Sequence, residues 1–363
     1  MLAIPKTMRA AVYRGPNDLR IETVPVPRIG PRELLVKVAV CGVCPTDIKK
    51  IHYGTVPPPR IFGHETAGTI VRLGPRAQGF RIGDRVALHH HVPCLDCHAC
   101  RHHAFAQCEQ YKRTGVTAGF EPAGGGFAEY VRVMPFVLPG VVKIPRKNSF
   151  EEGAMLEPVN TVLKAIKRLS LLPGDTVLVA GQGPIGLMFT RLLHLRGMNV
   201  LATDLMESRL KLARKLGARW TQLASTAEIP PTAFPLRSSK SQIANRKSQI
   251  PLDSAILAVP SDAALRQAIQ RVRGAGQIML FAHTRRGATT GLDLASVCVD
   301  EKDLLGSYSS DFTLQNEVAR LVFSRKLDVR QLITHRFPLA EAAKAVQLAS
   351  KPTPQSLKVV ISP

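Results

Sequence analysis

Aromatic residues make up only 5% of this sequence, and tryptophan occurs once. A protein that grips single-stranded nucleic acid stacks bases on aromatic side chains, and no recognised nucleic-acid motif is present, so no dedicated nucleic-acid function is expected. Acidic residues are also scarce: 27 Asp and Glu face 49 Lys and Arg, a formal charge of +22. Clustered basic residues bind polyanions by releasing counterions. Here the excess is spread along the chain, which implies no more than nonspecific adhesion to anionic material. No apolar run approaches the ~18 residues of a membrane span, and Met1 to Thr7 lack the long apolar region of a secretory leader. The expectation is a soluble, cytoplasmic protein with no membrane partner.

What is present is enough chain for two domains, since single cores stop growing near ~250 to 300 residues and the sequence has 363. Residues 8–40 run in short apolar and polar alternations broken by Pro and Gly, and Ala67 to Leu73 and Arg85 to Leu88 continue the pattern. That is strand spacing, and it predicts an antiparallel, barrel-like N-terminal domain.

Seven cysteines in a reducing compartment point to metal ligands or buried thiols before disulfides. Cys94, Cys97, Cys100 and Cys108 form a C-x2-C-x2-C-x7-C array. Four thiolates at this spacing can close a tetrahedron around zinc with no vacancy for substrate, so the array is read as a structural site. His89, His90, His91, His98, His102 and His103 surround it and are not taken as ligands. A second set, Cys44, His64 and Glu65, combines thiolate, imidazole and carboxylate, and three such ligands suit a catalytic zinc with one open position.

Further along, Thr176 to Ala180 reads as a buried strand running into Gly181-Gln-Gly183-Pro184-Ile185-Gly186, which opens a helical pattern reaching Leu195. Strand before, helix after and an acid, Asp204, ending the next strand (Asn199 to Thr203) make this a dinucleotide fingerprint. Gly181 permits the tight turn, Gly183 lets the backbone approach the pyrophosphate, and Gly186 lets helix and strand pack. A carboxylate at Asp204 favours NAD over NADP, because it accepts from ribose hydroxyls and repels a 2′-phosphate. Arg209 is the counterweight: it could pair with such a phosphate, lie beside the adenine, or be solvated on the helix Glu207 to Leu216. A strand at Asp253 to Ala258, a helix at Ala263 to Arg273 and a strand at Gln277 to Phe281, the last two joined by Gly274-Ala-Gly276, complete the pattern of a Rossmann domain. Between 224 and 251 the pattern fails, and Lys240-Ser-Gln-Ile-Ala-Asn-Arg246 is followed by a second Lys247-Ser-Gln-Ile250. This is read as a low-complexity surface insertion.

Cys41-Gly-Val-Cys44-Pro-Thr46-Asp47, Gly63-His64-Glu65-Thr-Ala-Gly68 and Gly83-Asp84-Arg85-Val86 fall in this order and spacing in one family. The chain resembles the zinc-dependent medium-chain alcohol dehydrogenases, and their sorbitol and threonine dehydrogenase branch most closely. The resemblance implies an α/β protein with a GroES-like β-barrel catalytic domain over 1–157, a Rossmann-fold doubly wound parallel-sheet NAD-binding domain over 158–304, and a C-terminal return to the catalytic domain over 305–363. It implies two zinc ions per chain, NAD, a homodimer or homotetramer, and a small-molecule alcohol as substrate. It also assigns Thr46 to passing the alcohol proton outward, and places Glu157 where polyol dehydrogenases carry a glutamate near zinc. Glu157 is therefore a further ligand or water-holding carboxylate, and the substrate expected is a secondary alcohol in a polyol, sugar alcohol or amino alcohol. Asp47 is expected to orient the ligands and Cys41 to be a buried bystander.

Three departures stand out: Lys49 replaces the histidine that ends the proton relay in many relatives, His52 is out of register with it, and Pro45 replaces a small or basic residue. The rival readings are a nonenzymatic NAD-sensing zinc protein, a zinc-independent quinone reductase and a dehydrogenase of simple alcohols. The intact ligand sets argue against the first two.

Overall fold

The computed structural model describes residues 4–89, 92–110, 124–224, 252–283 and 287–363. The repeat at Lys240 to Ile250, and the insertion apart from Ala224, lie outside the described residues, as do His90 and His91. The chain divides into two units, one of Met1–Thr161 with Ser309–Pro363 and one of Val162–Tyr308.

The first unit opens with strands β1 (Thr7–Gly15), β2 (Asp18–Pro25) and β3 (Leu34–Gly42), followed by helix α1 (Pro45–Tyr53). Strands β4 (Arg60–Ile61), β5 (Glu65–Leu73) and β6 (Arg85–Ala87) come next, then the short helix α2 (His98–Arg101), β7 (Tyr130–Val133) and β8 (Val142–Lys143). Strand β3 is buried on both faces. Leu34, Val36 and Val38 pack into one apolar cluster with Ile70 and Val86, while Leu35 and Cys41 pack into another with Tyr13, Phe62 and Phe127. Alternating side chains of one strand therefore serve two cores, each large apolar side chain contributing about 1.5–3 kcal/mol on burial. The antiparallel pairing of β3 with β5 sets Gly42 opposite Glu65, which brings the end of one strand beside the start of the other.

Helix α3 (Phe150–Ala154) and helix α4 (Leu156–Lys167) follow. Val159, Val162, Leu163, Ile166 and Leu169 fall at helical spacing over Pro158 to Ser170, and the observed helix α4 begins two residues before that segment, at Leu156. A proline fits in its first turn because first-turn N–H groups have no partner within the helix. Glu157 thereby sits in the first turn of α4 and is buried.

The second unit holds β9 (Thr176–Ala180), α5 (Pro184–Leu195), β10 (Asn199–Asp204), α6 (Glu207–Lys215), β11 (Trp220–Leu223), β12 (Leu252–Leu257), α7 (Asp262–Arg271), β13 (Val272–Leu280), α8 (Leu294–Cys298) and β14 (Asp303–Gly306). Its strands form one all-parallel sheet in the order β11-β10-β9-β12-β13-β14. The order reverses between β9 and β12, the switch point outside which such sheets bind ligands. Every residue of β9 is buried, as a central parallel strand requires. One boundary differs from the sequence reading: β13 begins at Val272, so Gly274 to Gly276 belong to the strand and are not its connector. The pairing of β12 with β13 shifts register between Leu252 and Ser254, and Ala275 takes a φ of 55°, so the glycine segment is absorbed as a bulge.

The chain then returns to the first unit through α9 (Gln315–Phe323), β15 (Ile333–Pro338), α10 (Ala342–Ser350) and β16 (Lys358–Ser362). The closing strand β16 pairs antiparallel with β3, setting Val360 opposite Gly42, and this brings Lys358 toward the β3–β5 junction.

Candidate functional site

Cys44 is the N-cap of α1, where its sulfur accepts from the Thr46 N–H at 3.5 Å and Asp47 closes a capping box. His64 and Glu65 lie at the turn into β5. Gly63 makes that turn with a φ of 96°, and a Cβ there would collide with Cys41 and Phe127. One ligand-capable atom from each of Cys44, His64 and Glu65 lies within 4.8 Å of the others, with His64 and Glu65 buried. The helix cap and the strand pairing thus bring together residues about twenty positions apart.

Each residue of this set has a buried charged neighbour. Asp47, fully buried, accepts from His64 Nδ1 at 3.1 Å. Burial opposes charge on both, but the pull of Asp47 and Cys44 outweighs it and holds the imidazole pKa well above its ordinary value. The same pairing holds Asp47 below the usual carboxylate range against the opposing effect of burial. Glu65 forms an ion pair with Lys358 of β16, which also donates to the Val43 carbonyl at 3.0 Å. Burial works against the Lys358 charge, and the Glu65 carboxylate and Cys44 overcome it and keep the amine protonated. Glu157 lies outside the three-residue cluster, yet it senses His64, Glu65 and Lys358 electrostatically; burial and the Glu65 charge push its carboxyl up to about 7. Cys41 is fully buried beside Thr66 Oγ1 at 3.3 Å, and burial raises its thiol far above the ordinary range. Thr46 is half-buried in the first turn of α1. Lys49, also half-buried, has its pKa lowered by desolvation against the opposing pull of Cys44.

The four cysteines of the array also converge, their sulfurs all within 4.8 Å of one another. Zinc bound to four thiolates at about 2.3 Å would space the sulfurs about 3.8 Å apart. Here Cys94 and Cys100 are 3.9 Å apart and Cys97 and Cys100 are 3.5 Å apart, so the array fits a closed tetrahedron. Backbone N–H groups already face the sulfurs, Cys94 N donating to Cys108 and Cys97 N to Cys94. Such donors, the Asp96 and Cys97 N–H groups above all, bring the Cys94 thiol down to about 6.

In the second unit, Gly181 has a φ of 89°, and a Cβ on Gly186 would run into the Gly181 carbonyl. Gly183 is the N-cap of α5 and a Cβ there would meet nothing within 4 Å. The space in front of the helix N-terminus is open, which is what a pyrophosphate approaching backbone donors requires. Pro184 and Ile185 form the first turn of α5. Asp204 ends β10 buried, its carboxylate accepting from Gln182 N at 2.6 Å and Met206 N at 2.9 Å. Arg209 packs beside it, Nη1 lying 3.8 Å from Asp204 Oδ2 with only 12% of the side chain exposed. This disposes of the solvated alternative for Arg209.

Comparison with known proteins agrees with both units. A family model described as the alcohol dehydrogenase GroES-like domain matches residues 30–146, and one described as zinc-binding dehydrogenase matches 184–324. The chain is 30% identical to the sorbitol dehydrogenase of Bombyx mori, over 94% of both chains. The chain belongs to the zinc-binding medium-chain dehydrogenases. To D-arabinitol dehydrogenase 1 of Uromyces fabae this dehydrogenase is 30% identical over 99% of its own length and 98% of the relative. Among solved structures, a zinc-binding dehydrogenase from Sinorhizobium meliloti 1021 bound to NADP superposes with a TM-score of 0.83 at 25% identity, covering 99% of this chain and 100% of that one. As a family member the protein is an oxidoreductase that uses a nicotinamide dinucleotide and acts on alcohols or polyols. Among the described residues no helix is long and apolar enough to cross a membrane.

One residue of this dehydrogenase that reading the sequence missed is Lys358. The signal was a lysine opening the otherwise apolar run Lys358-Val-Val-Ile361. Its partner, however, lies nearly three hundred residues away in sequence, and only the β16–β3 pairing brings them together.

Proposed function

We propose that this dehydrogenase reversibly oxidises a secondary alcohol within a polyol, sugar alcohol or amino alcohol, passing hydride to NAD. Cys44, His64 and Glu65 would hold the catalytic zinc, with Glu157 as a further ligand or as the carboxylate that holds the water. Cys94, Cys97, Cys100 and Cys108 would hold a structural one. When bound at the first set, zinc acts as a Lewis acid that stabilises alkoxide at neutral pH. Asp47 engages Nδ1 of His64, which leaves Nε2 as the ligating nitrogen and fixes the ring. Thr46, in the turn that carries Cys44, is the hydroxyl assigned to receiving the alcohol proton. Asp204, with its carboxylate fixed by Gln182 and Met206, is assigned to the adenosine ribose, and Arg209 to its flank.

The observation that carries this reading is the buried convergence of Cys44, His64 and Glu65, each backed by an ionisable neighbour, with Glu157 buried close by. The polyol dehydrogenases of Bombyx mori and Uromyces fabae support the substrate class, and Glu157 makes the site polar enough for a second hydroxyl or amine. The preference for NAD rests on Asp204, against a relative solved with NADP. A cytoplasmic location belongs to the same reading, since the thiolate ligands need reduced cysteines, and a homodimeric or homotetrameric state is carried over from the family resemblance.

Zinc analysis of the purified protein, followed by a screen of polyols and simple alcohols with NAD and NADP read by NAD(P)H absorbance, tests it. Two equivalents of zinc, faster turnover of vicinal diols than of their monohydric analogues and a preference for NAD are expected. One equivalent of zinc, or equal efficiency on diol and monohydric alcohol, would overturn the corresponding part.

A further inference from the structure

Helix α2 is a single turn, His98–Arg101, too short to be stable by itself in water. It is tied to the cysteine array at both ends. Cys97 is its N-cap and Cys100 is buried within it, while Arg101 N donates to the Cys97 carbonyl at 3.0 Å and His102 N to the His98 carbonyl at 3.3 Å. With the cysteines turned to the array, His98, Arg101 and His102 are left exposed.

His98 and His102 stand four positions apart, the spacing that sets side chains side by side on one helix face. Their ring centroids are 4.6 Å apart, with the planes tilted by 57°. That separation has a chemical meaning. An imidazole nitrogen binds a divalent first-row cation at about 2.0–2.1 Å, which places the centre of the ring about 3.2 Å from the ion. Two rings at right angles about one ion then have centres about 4.5 Å apart, and two rings at the tetrahedral angle about 5.2 Å. The pair matches the right-angle case. Neighbouring nitrogen ligands at right angles are the tetragonal arrangement of Cu(II) and Ni(II), whereas four-coordinate zinc takes the wider angle.

The cation nearest in sequence is accounted for. Arg101 is turned back onto Asp96, its Nε donating to the Asp96 carbonyl at 3.0 Å and its Nη2 to Oδ1 at 3.2 Å. His103 belongs to a different arrangement: its φ of 55° takes the chain out of the helix, and its ring meets Phe105 edge on, centroids 5.7 Å apart.

We propose that His98 and His102 form a third metal site of this chain, an exposed two-imidazole chelate for a divalent cation of the nickel and copper class, its other positions taken by water. The site goes beyond the two zinc sites of the proposed function and shares no ligand with either.

Calorimetric titration of the full-length, zinc-saturated protein with NiCl2 tests the assignment, at about pH 7.5, above the ordinary imidazole pKa, and with zinc content measured before and after. Uptake of one nickel with all zinc retained is expected. His98→Asn and His102→Asn should each weaken that binding by about 100-fold, because losing either ring loses the chelate. His103→Asn should leave it within about twofold, as an exposed substitution away from the site. Nickel affinity unchanged in both His98→Asn and His102→Asn overturns the proposal, as does an equal loss in His103→Asn, uptake only by displacement of zinc, or no uptake by the unaltered protein. Either variant carries the test alone if the other fails to retain its zinc.

Discussion

Cys94, Cys97, Cys100 and Cys108 come from one short segment, and their sulfurs are met mainly by neighbouring backbone N–H groups. Cys44, His64 and Glu65 come from a helix cap and a strand start, and each is backed by buried ionisable side chains: Asp47 behind His64, Lys358 behind Glu65, Glu157 nearby. On the function proposed above, the first arrangement would be complete with its own ligands and would only stabilise a loop. The second gathers buried charge that a bound metal would share, and perturbed buried groups of this kind are what the proposed chemistry would use. Burying charge is expensive unless it is paired, so the difference between the sites is an energetic one.

The largest effects separate the two directly. Cys44→Ser should cut kcat/KM by on the order of a thousandfold, with the thermal transition nearly unmoved. Cys97→Ser should lose one equivalent of zinc and lower the melting temperature by on the order of 10 °C. Elemental analysis with calorimetry reads both, and interchange of the two phenotypes would break the comparison.

Next in size is Lys358→Met. In metal-free protein it leaves Glu65 buried and unpaired and should cost about 3–5 kcal/mol. With zinc bound the cost should shrink, because the cation takes over the neutralising role. A cost equal in both states, measured by denaturant titration with and without chelator, would show that Glu65 does not face the metal.

Glu157 sharpens the contrast through pH. Its folded-state pKa of about 7 stands above the ordinary 4.5, so the folded protein binds the proton more tightly than the unfolded chain. The stabilisation is fully present below about pH 4.5 and is lost as pH rises through about 7, roughly 3 kcal/mol in all. Metal-free stability should therefore fall across this window relative to Glu157→Gln, which lacks the titration. Parallel pH profiles for the two proteins would count against a buried, proton-holding carboxyl. The smallest effect is Asp47→Asn: zinc affinity at the mixed site should drop by about 10- to 100-fold, with the four-cysteine site unaffected in a competition titration against a chromogenic chelator.

How much was legible follows the same division. The four-cysteine array and the fingerprint from Gly181 to Gly186 are local patterns whose spacing nearly dictates their geometry, and the strands on either side announced themselves by alternation or by continuous apolar runs. Two boundaries did not. The helical spacing of apolar residues begins at Pro158, and α4 starts two residues earlier, at Leu156, behind a separately capped α3. Gly274 to Gly276 looked like a connector because glycine punctuates chains, and β13 absorbs them as a bulge. Arg209 was ambiguous from its helix position alone, and packing against Asp204 removes only the solvated alternative.

The sequence by itself determined the α/β plan, through its alternation of strand and helix patterns, and both cysteine-bearing clusters and the dinucleotide loop, because each of these is encoded within about twenty residues by spacing and residue type. Only the tertiary structure decided what stands behind them. Lys358 reaches Glu65 because β16 closes against β3. Glu157 acquires its raised pKa because α4 buries its first turn. Pairing over such distances leaves no period or motif in the chain, since what it answers to is the cost of burying a charge or a polar atom, and that cost exists only once the fold has formed.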